Sequence, residues 1–253
     1  MNNRIEMFKK DVEAKKAVKI IAGIDNFDIE NVRNIVTSAC EAGASAVDIS
    51  ADRDIIAMVM DISTIPVFVS STHPEELVNA VEMGVDAIEL GNFDAMYRNG
   101  MKSFSAEEVF NLAKTTVDML GHRDVYFSVT IPGNIDINDQ IELARKLEGI
   151  GVDIIQTEGF FDSHQSDGVL GLIERAERTI ANTIELTRNI EIPVMTASGI
   201  NVTTAPLAFA AGASAIGCGS CVNKLNSVIS MIAMSKSLVE IAERNAHMIP
   251  ELV

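Results

Sequence analysis

Gly84-Val-Asp-Ala-Ile-Glu-Leu-Gly91 has three gapless relatives in the same chain: Gly43-Ala-Ser-Ala-Val-Asp-Ile-Ser50, Gly151-Val-Asp-Ile-Ile-Gln-Thr-Glu158 and Gly212-Ala-Ser-Ala-Ile-Gly-Cys-Gly219. Each opens on a glycine suited to the left-handed end of a helix and runs on into a strand. A second repeat pairs Ile65-Pro-Val-Phe-Val-Ser-Ser71 with Ile192-Pro-Val-Met-Thr-Ala-Ser198. With strands predicted at 17–23, 46–50, 66–70, 87–91, 125–131 and 154–158 and two more beginning near 193 and 212, the first repeat falls on strands two, four, six and eight. The second falls on strands three and seven. Repeats on alternate strands and on strands four apart are what a closed eightfold barrel with half-barrel symmetry leaves behind. An open doubly wound sheet gives no reason for the pattern and ranks second. The expected fold is therefore α/β, a (β/α)8 TIM barrel over residues 1–253 as one domain. A short N-terminal helix over 4–16, with Ile5, Phe8 and Val12 on one side, closes the barrel floor.

The chain of 253 residues suits one such barrel, and 47% apolar residues with 5% aromatic suit buried parallel strands. A formal charge of −16 disfavours nucleic acid and anionic membrane as partners. No run of about 18 uncharged apolar residues is present, and the N-terminus does not read as a leader peptide. Three cysteines, Cys40, Cys218 and Cys221, point to a reduced, cytoplasmic setting rather than to disulfides.

Strand parity gives the chemistry. Val47, Ile49, Ile88, Leu90 and Ile155 suit the helix side. The alternate set then faces inward: Asp48, Glu89 and Gln156 in one layer opposite Gly217, with Ser50, Gly91, Glu158 and Gly219 one layer nearer the mouth. Lys19 points inward as well, and strand five adds Ser128 and Thr130. Buried polar groups need partners, so the bland reading is an ion-pair plug of Lys19 with Asp48 or Glu89. The sharper reading is an active site with Lys19, Asp48, Glu89 and Glu158 as catalytic candidates and Gln156, Thr130 and Asn92 contacting substrate.

Pro193-Val-Met-Thr-Ala-Ser-Gly-Ile200 and the Gly219-Ser220 turn supply an anchor. Each reads as strand, glycine turn, helix, and helix N-termini attract phosphate. Ser198, Gly199, Ile200, Gly219 and Ser220 are the expected phosphate-binding residues, at the usual phosphate position of the fold. Other signals are weaker. Cys218-Gly-Ser-Cys221 has redox spacing in the wrong setting. His73, His122, His164 and His247 are scattered, so no metal site is expected, although Asp25, Asp48, Asp52 and Glu89 offer Mg²⁺ an all-oxygen set. Arg98 and Lys102 are the basic residues for a second anionic group, and Phe160-Phe-Asp-Ser-His-Gln165 is a lid candidate. Met231 and Met234 read as core or as a subunit interface in a homo-oligomer.

Several strings carry a wider resemblance: Lys19-Ile-Ile-Ala-Gly-Ile-Asp-Asn-Phe-Asp28, Glu89-Leu-Gly-Asn-Phe-Asp94, Ser128-Val-Thr-Ile-Pro132, Ile155-Gln-Thr-Glu-Gly159, Gly168-Val-Leu-Gly-Leu-Ile-Glu174, Ala197-Ser-Gly199 and Gly219-Ser-Cys-Val-Asn-Lys-Leu-Asn226. Over nearly its whole length the chain resembles the hypothetical-chloroplast-reading-frame 23 family of cyanobacteria and plastids, a domain-of-unknown-function group. The resemblance implies a barrel of the ribulose-phosphate-binding type, and plastid stroma as the location of plastid-encoded members; it brings no reaction with it. Locally, Asp86-Ala-Ile-Glu-Leu-Gly91 is similar to the strand carrying the acid of the tryptophan synthase α subunit, which bears on Glu89. The expectation is an enzyme of lyase, isomerase or aldolase type acting on a small phosphorylated metabolite without a cofactor. The alternative is a non-catalytic barrel that binds such a metabolite or a partner. A redox-responsive role for Cys218 and Cys221 ranks third.

Overall fold

The computed structural model describes residues 3–93, 103–159 and 168–248. Eight parallel strands close a barrel in sequence order, β8 pairing with β1: β1 (Ala17–Ile21), β2 (Ala46–Ser50), β3 (Val67–Ser71), β4 (Ala87–Leu90), β5 (Tyr126–Ile131), β6 (Ile154–Thr157), β7 (Val194–Thr196) and β8 (Ala215–Cys218). Around it run α1 (Asn3–Glu13), α2 (Ile29–Ala42), α3 (Arg53–Ile62), α4 (Pro74–Glu82), α5 (Ala106–Leu120), α6 (Ile137–Gly149), α7 (Gly168–Thr187), α8 (Ala205–Ala210), α9 (Ser220–Asn223) and α10 (Val228–Met248). The expected (β/α)8 barrel is the fold.

Local chemistry explains the helix ends. Asp28 caps α2 by accepting from the amides of Glu30 and Asn31, and Gly43 ends it at φ 72°. Ser105 and Glu108 form a reciprocal capping box at α5. Between sheet and helices lies the main core, with Val47, Ile49, Ile88, Leu90 and Ile155 all on the helix side.

Two expectations fail near the mouth. The pattern of the last segment predicts one closing helix from about 222 to 246, but it is divided into α9 and α10, because the Asn223 amide donates to the carbonyls of Ile21 (3.1 Å) and Ala22 (3.2 Å) and ties α9 to the end of β1. No helix opens directly after Gly199 either. A turn through Asn201 intervenes: its side chain accepts from Thr203 N (2.8 Å) and its amide donates to Thr204 Oγ1 (2.9 Å), so α8 starts only at Ala205.

The barrel interior has two halves. The lower half is apolar: Ala17, Ala46, Phe68, Ala87, Tyr126, Ile154, Met195 and Ala215, sealed from below by Phe8 and Val12 of α1. Small alanines on β1, β2, β4 and β8 leave room for Phe8, whose ring meets Phe68 and Tyr126 edge-on at centroid distances of 5.0 and 5.6 Å. The upper half is polar, and it carries the candidate site.

Candidate functional site

Inward residues two positions further along the same strands, with Thr130 one pleat beyond Ser128, form the polar layer. Lys19, Asp48, Ser70, Glu89, Ser128, Thr130 and Gln156 are all fully or almost fully buried. Glu89 is its centre. Glu89 Oε2 accepts from Lys19 Nζ at 2.5 Å and from Ser128 Oγ at 2.8 Å. Glu89 Oε1 accepts from Gln156 Nε2 (2.8 Å), Asn92 Nδ2 (3.3 Å) and Thr130 Oγ1 (3.4 Å). The register accounts for these meetings, since Glu89 lies beside Ser70 on β3 and Ser128 on β5, and Thr130 lies beside Gln156. Five donors thus converge on one carboxyl group. Lys19 Nζ also sits 5.0 Å from the Phe68 ring centroid, where the two halves meet.

Asp48 is placed differently. Ser70 Oγ donates to its Oδ1, and its Oδ2 has no hydrogen-bond partner. Burial, with the negative charge of Glu89 adding to it, pushes the Asp48 carboxyl up to about 7, against the pull of Lys19 and of hydrogen bonds from Ser70 and Asn92. Two carboxyls in one layer thus differ in character: Glu89 is paired with an amine, and Asp48 titrates near neutrality.

Above this layer is a cavity of about 400 Å³. It opens at the C-terminal ends of the strands. Its walls include Gly23 to Asn26 after β1, Asn92 after β4, Gln156 on β6 and Glu158 just after it, Ser198 to Ile200 after β7, and Gly217, Gly219, Ser220, Asn223 and Lys224 from β8 and α9. Ser198 and Gly199 are consecutive left-handed residues, at φ 73° and 74°. That conformation is costly for serine and is held by its surroundings. The buried Thr204 supplies part of the hold: its Oγ1 donates to Gly199 O (3.1 Å) while accepting from Asn201 N (2.9 Å). Asn92 is left-handed too, at φ 64°, and joins the cavity wall to Glu89 below.

All five phosphate candidates, Ser198, Gly199, Ile200, Gly219 and Ser220, line the cavity, as do Glu158, Gln156 and Asn92. Lys19, Asp48, Glu89 and Thr130 do not. They are 0% exposed and lie beneath the floor that Asn92 and Gln156 form. The parity argument put them inside the barrel and could not say that a neighbouring amide roofs them over. Close packing seals them further: a Cβ on Gly91 would stand 2.2 Å from Thr130 Cβ.

The structure adds Asn26, Asn223 and Lys224 to the cavity wall and Thr204 behind the β7 loop. Lys224, exposed at the end of α9, escapes sequence reading because a helix expected from about 222 absorbs it; a lysine one turn after Gly219-Ser220 is the available cue. Asp52 caps α3 through the amides of Asp54 and Ile55. Among the described residues no group of three or more His, Cys, Asp or Glu is placed to hold a metal ion, and no helix is long and apolar enough to cross a membrane. His73 is an exposed helix-start residue. Arg98, Lys102, His164 and the candidate lid over 160–165 lie outside the described residues.

A closed (β/α)8 barrel with a polar cavity at the C-terminal ends of its strands defines the class: barrels that carry their binding site on the loops of that face. The family profile described as "Protein of unknown function (DUF561)" matches residues 1–248, and the chain belongs to that family. It is 40% identical over 223 residues to the "Uncharacterized protein ycf23" of Pyropia yezoensis, covering 88% of this chain and 81% of that one. Among solved structures, 3-hexulose-6-phosphate synthase from Salmonella typhimurium superposes with a TM-score of 0.66 at 10% identity, over 90% of this chain and 99% of that one. The (S)-3-O-geranylgeranylglyceryl phosphate synthase from Thermoplasma acidophilum, solved with sn-glycerol-1-phosphate, gives 0.64 at 16% identity, over 96% and 99%. At such identities the likeness speaks to the fold.

Proposed function

We propose that the protein is an enzyme of lyase, isomerase or aldolase type acting on a small phosphorylated metabolite, needing no cofactor. The observation that carries this reading is the cavity, with all five candidate anchor residues on one wall and Glu158 on another. The phosphate sits against the amides of Gly199, Ile200 and Ser220, with the Lys224 ammonium adding charge from the rim. The amide of Asn201 is already committed to Thr204. Glu158, the carboxyl that β6 sends into the cavity, serves as general acid or base at the reacting carbon. Lys19 and Glu89 work from below, fixing Gln156 and Asn92 by charge. In this arrangement a bound carbonyl compound does not reach the Lys19 amine, so Schiff-base chemistry there is not part of the reading. The site of action is the cytoplasm, or the stroma for a plastid-encoded chain.

The sealed Lys19–Glu89 pair favours a second reading, a barrel that binds the metabolite without turning it over. One experiment serves both. Melting temperature is measured against inorganic phosphate and a panel of phosphate esters, for the wild type and for Lys224→Ala. Binding at 100 times Kd adds ~2.7 kcal/mol to stability by linkage. We expect a clear rise for the wild type and a smaller one for Lys224→Ala; a flat response across the panel sinks the anchor. Any ester that binds is then tested for turnover, and wild-type-like turnover by Glu158→Gln would remove Glu158 from its role.

A further inference from the structure

The floor of the cavity holds a buried acceptor that nothing in the protein satisfies. Gln156 is 1% exposed, and its Oε1 has no hydrogen-bond partner. The orientation of the amide is fixed. Nε2 donates to Glu89 Oε1 (2.8 Å) and to Thr130 Oγ1 (3.0 Å). As the ion-pair partner of Lys19 at 2.5 Å, Glu89 is an acceptor. Turning the amide over would set two acceptors face to face, so Oε1 has to face the other way. It lies 3.2 Å from where a Cβ on Gly217 would stand, and Gly217 lines the cavity. Ala197 Cβ and Ile21 Cδ1 crowd the same spot, at 2.9 and 3.1 Å, and both residues line the cavity as Gln156 does, so Oε1 lies at the cavity floor. An unpaired buried carbonyl is rare and costly, which marks it as a place for a ligand donor.

The rest of the cavity says what kind of ligand carries that donor. The anchor residue Gly219 is two positions beyond Gly217, an advance of about 6.6 Å along an extended chain. A ligand bridging the two is therefore short, of about three to five carbons by the same spacing. Charge is divided between the walls. Among the described lining residues Lys224 is the cation, on the anchor side, while Asp25 and Glu158 put carboxyls on the cavity wall. A second anion at the Gln156 end would meet a carbonyl oxygen backed by Glu89. An ammonium is not called for, because Lys19 already balances Glu89.

Resting on the anchor reading above, we infer that Gln156 is the specificity-determining residue of the cavity. Its Oε1 accepts a hydrogen bond from a hydroxyl of a short-chain polyol monophosphate, and the site rejects phosphate esters bearing a second anion. The full chain is titrated calorimetrically with inorganic phosphate, glycerol 1-phosphate, n-propyl phosphate, 3-phosphoglycerate and O-phosphoethanolamine. Glycerol 1-phosphate is expected to bind about tenfold more tightly than its hydroxyl-free analogue n-propyl phosphate. 3-Phosphoglycerate binds more weakly than either, and O-phosphoethanolamine gains nothing over n-propyl phosphate. Gln156→Met brings glycerol 1-phosphate and n-propyl phosphate to equal affinity and leaves inorganic phosphate unchanged. Gln156→Asn, which withdraws the acceptor and keeps the amide, does the same and serves if the Met variant does not fold. Equal binding of glycerol 1-phosphate and n-propyl phosphate by the wild type, or a preference that survives both substitutions, overturns the inference while the anchor stands. So does tightest binding of O-phosphoethanolamine or 3-phosphoglycerate. If inorganic phosphate and every ester fail to bind, the anchor reading falls and takes this inference with it.

Discussion

The two halves of the barrel interior are built on the same strands, two residues apart, and they handle burial in opposite ways. Below, Ala17, Ala46, Phe68, Ala87, Tyr126, Ile154 and Ala215 fill space with hydrocarbon and aromatic rings, and Phe8 of α1 completes the packing. Above, their neighbours Lys19, Asp48, Ser70, Glu89, Ser128, Gln156 and Gly217 put an amine, two carboxyls, hydroxyls and an amide into the same kind of site. The lower half is satisfied by contact alone. The upper half is satisfied only where partners meet: Glu89 is, while Asp48 Oδ2 and Gln156 Oε1 are not. A barrel needing only stability could have repeated the lower solution, since a buried ion pair is rarely better than apolar packing. The leftover groups lie on the side that carries the cavity.

Substitutions can break or sharpen this contrast. The largest effect is expected from Glu89→Ala, which strands the Lys19 charge in the interior. It should cost about 3–5 kcal/mol in urea unfolding. The double variant Lys19→Met/Glu89→Leu should recover most of that loss; if it unfolds as readily as the single variant, the pair is a stabilising element after all and the contrast weakens. Below the layer, Phe8→Ala should cost ~3 kcal/mol by emptying the space the alanines leave, with no change in phosphate affinity. Loss of phosphate binding there would show the halves to be mechanically linked.

A smaller and pH-dependent effect belongs to Asp48. Its folded value of about 7 lies above the ordinary carboxylate range. The folded state therefore holds a proton that the unfolded chain gives up near pH 4, and stability is lost as pH rises from about 4 to about 7. Asp48→Asn should remove that slope, leaving the melting temperature unchanged near pH 4 and raising stability by ~2 kcal/mol at pH 8, within the ~4 kcal/mol that a full three-unit shift allows. An unaltered pH profile in Asp48→Asn would mean that Asp48 is ionised in the folded protein.

Much of this was legible in the chain. The Gly84–Gly91 repeat and its relatives carry both the closure of the barrel and the inward set Asp48, Glu89, Gln156 and Gly217, because strand periodicity and helix-ending glycines are local properties. The two cavity loops after β7 and β8 were legible for the same reason: Ser198-Gly199 and Gly219-Ser220 are turns written in adjacent residues. Asn223 and Thr204 were not. Their side chains act on the end of β1 and on the loop they help to fold, and nothing in their immediate neighbours announces it.

The sequence by itself determined the eight-stranded order, the face each strand residue turns inward and the two glycine turns that line the cavity, since each follows from spacing within a few positions. Tertiary structure alone decided which buried groups reach the cavity. Lys19 and Glu89 found each other across 70 residues and were sealed, whereas Gln156 was turned by Glu89 so that its unpaired oxygen faces Gly217. Those outcomes depend on hydrogen-bond partners brought together by barrel closure, and no stretch of the chain contains them.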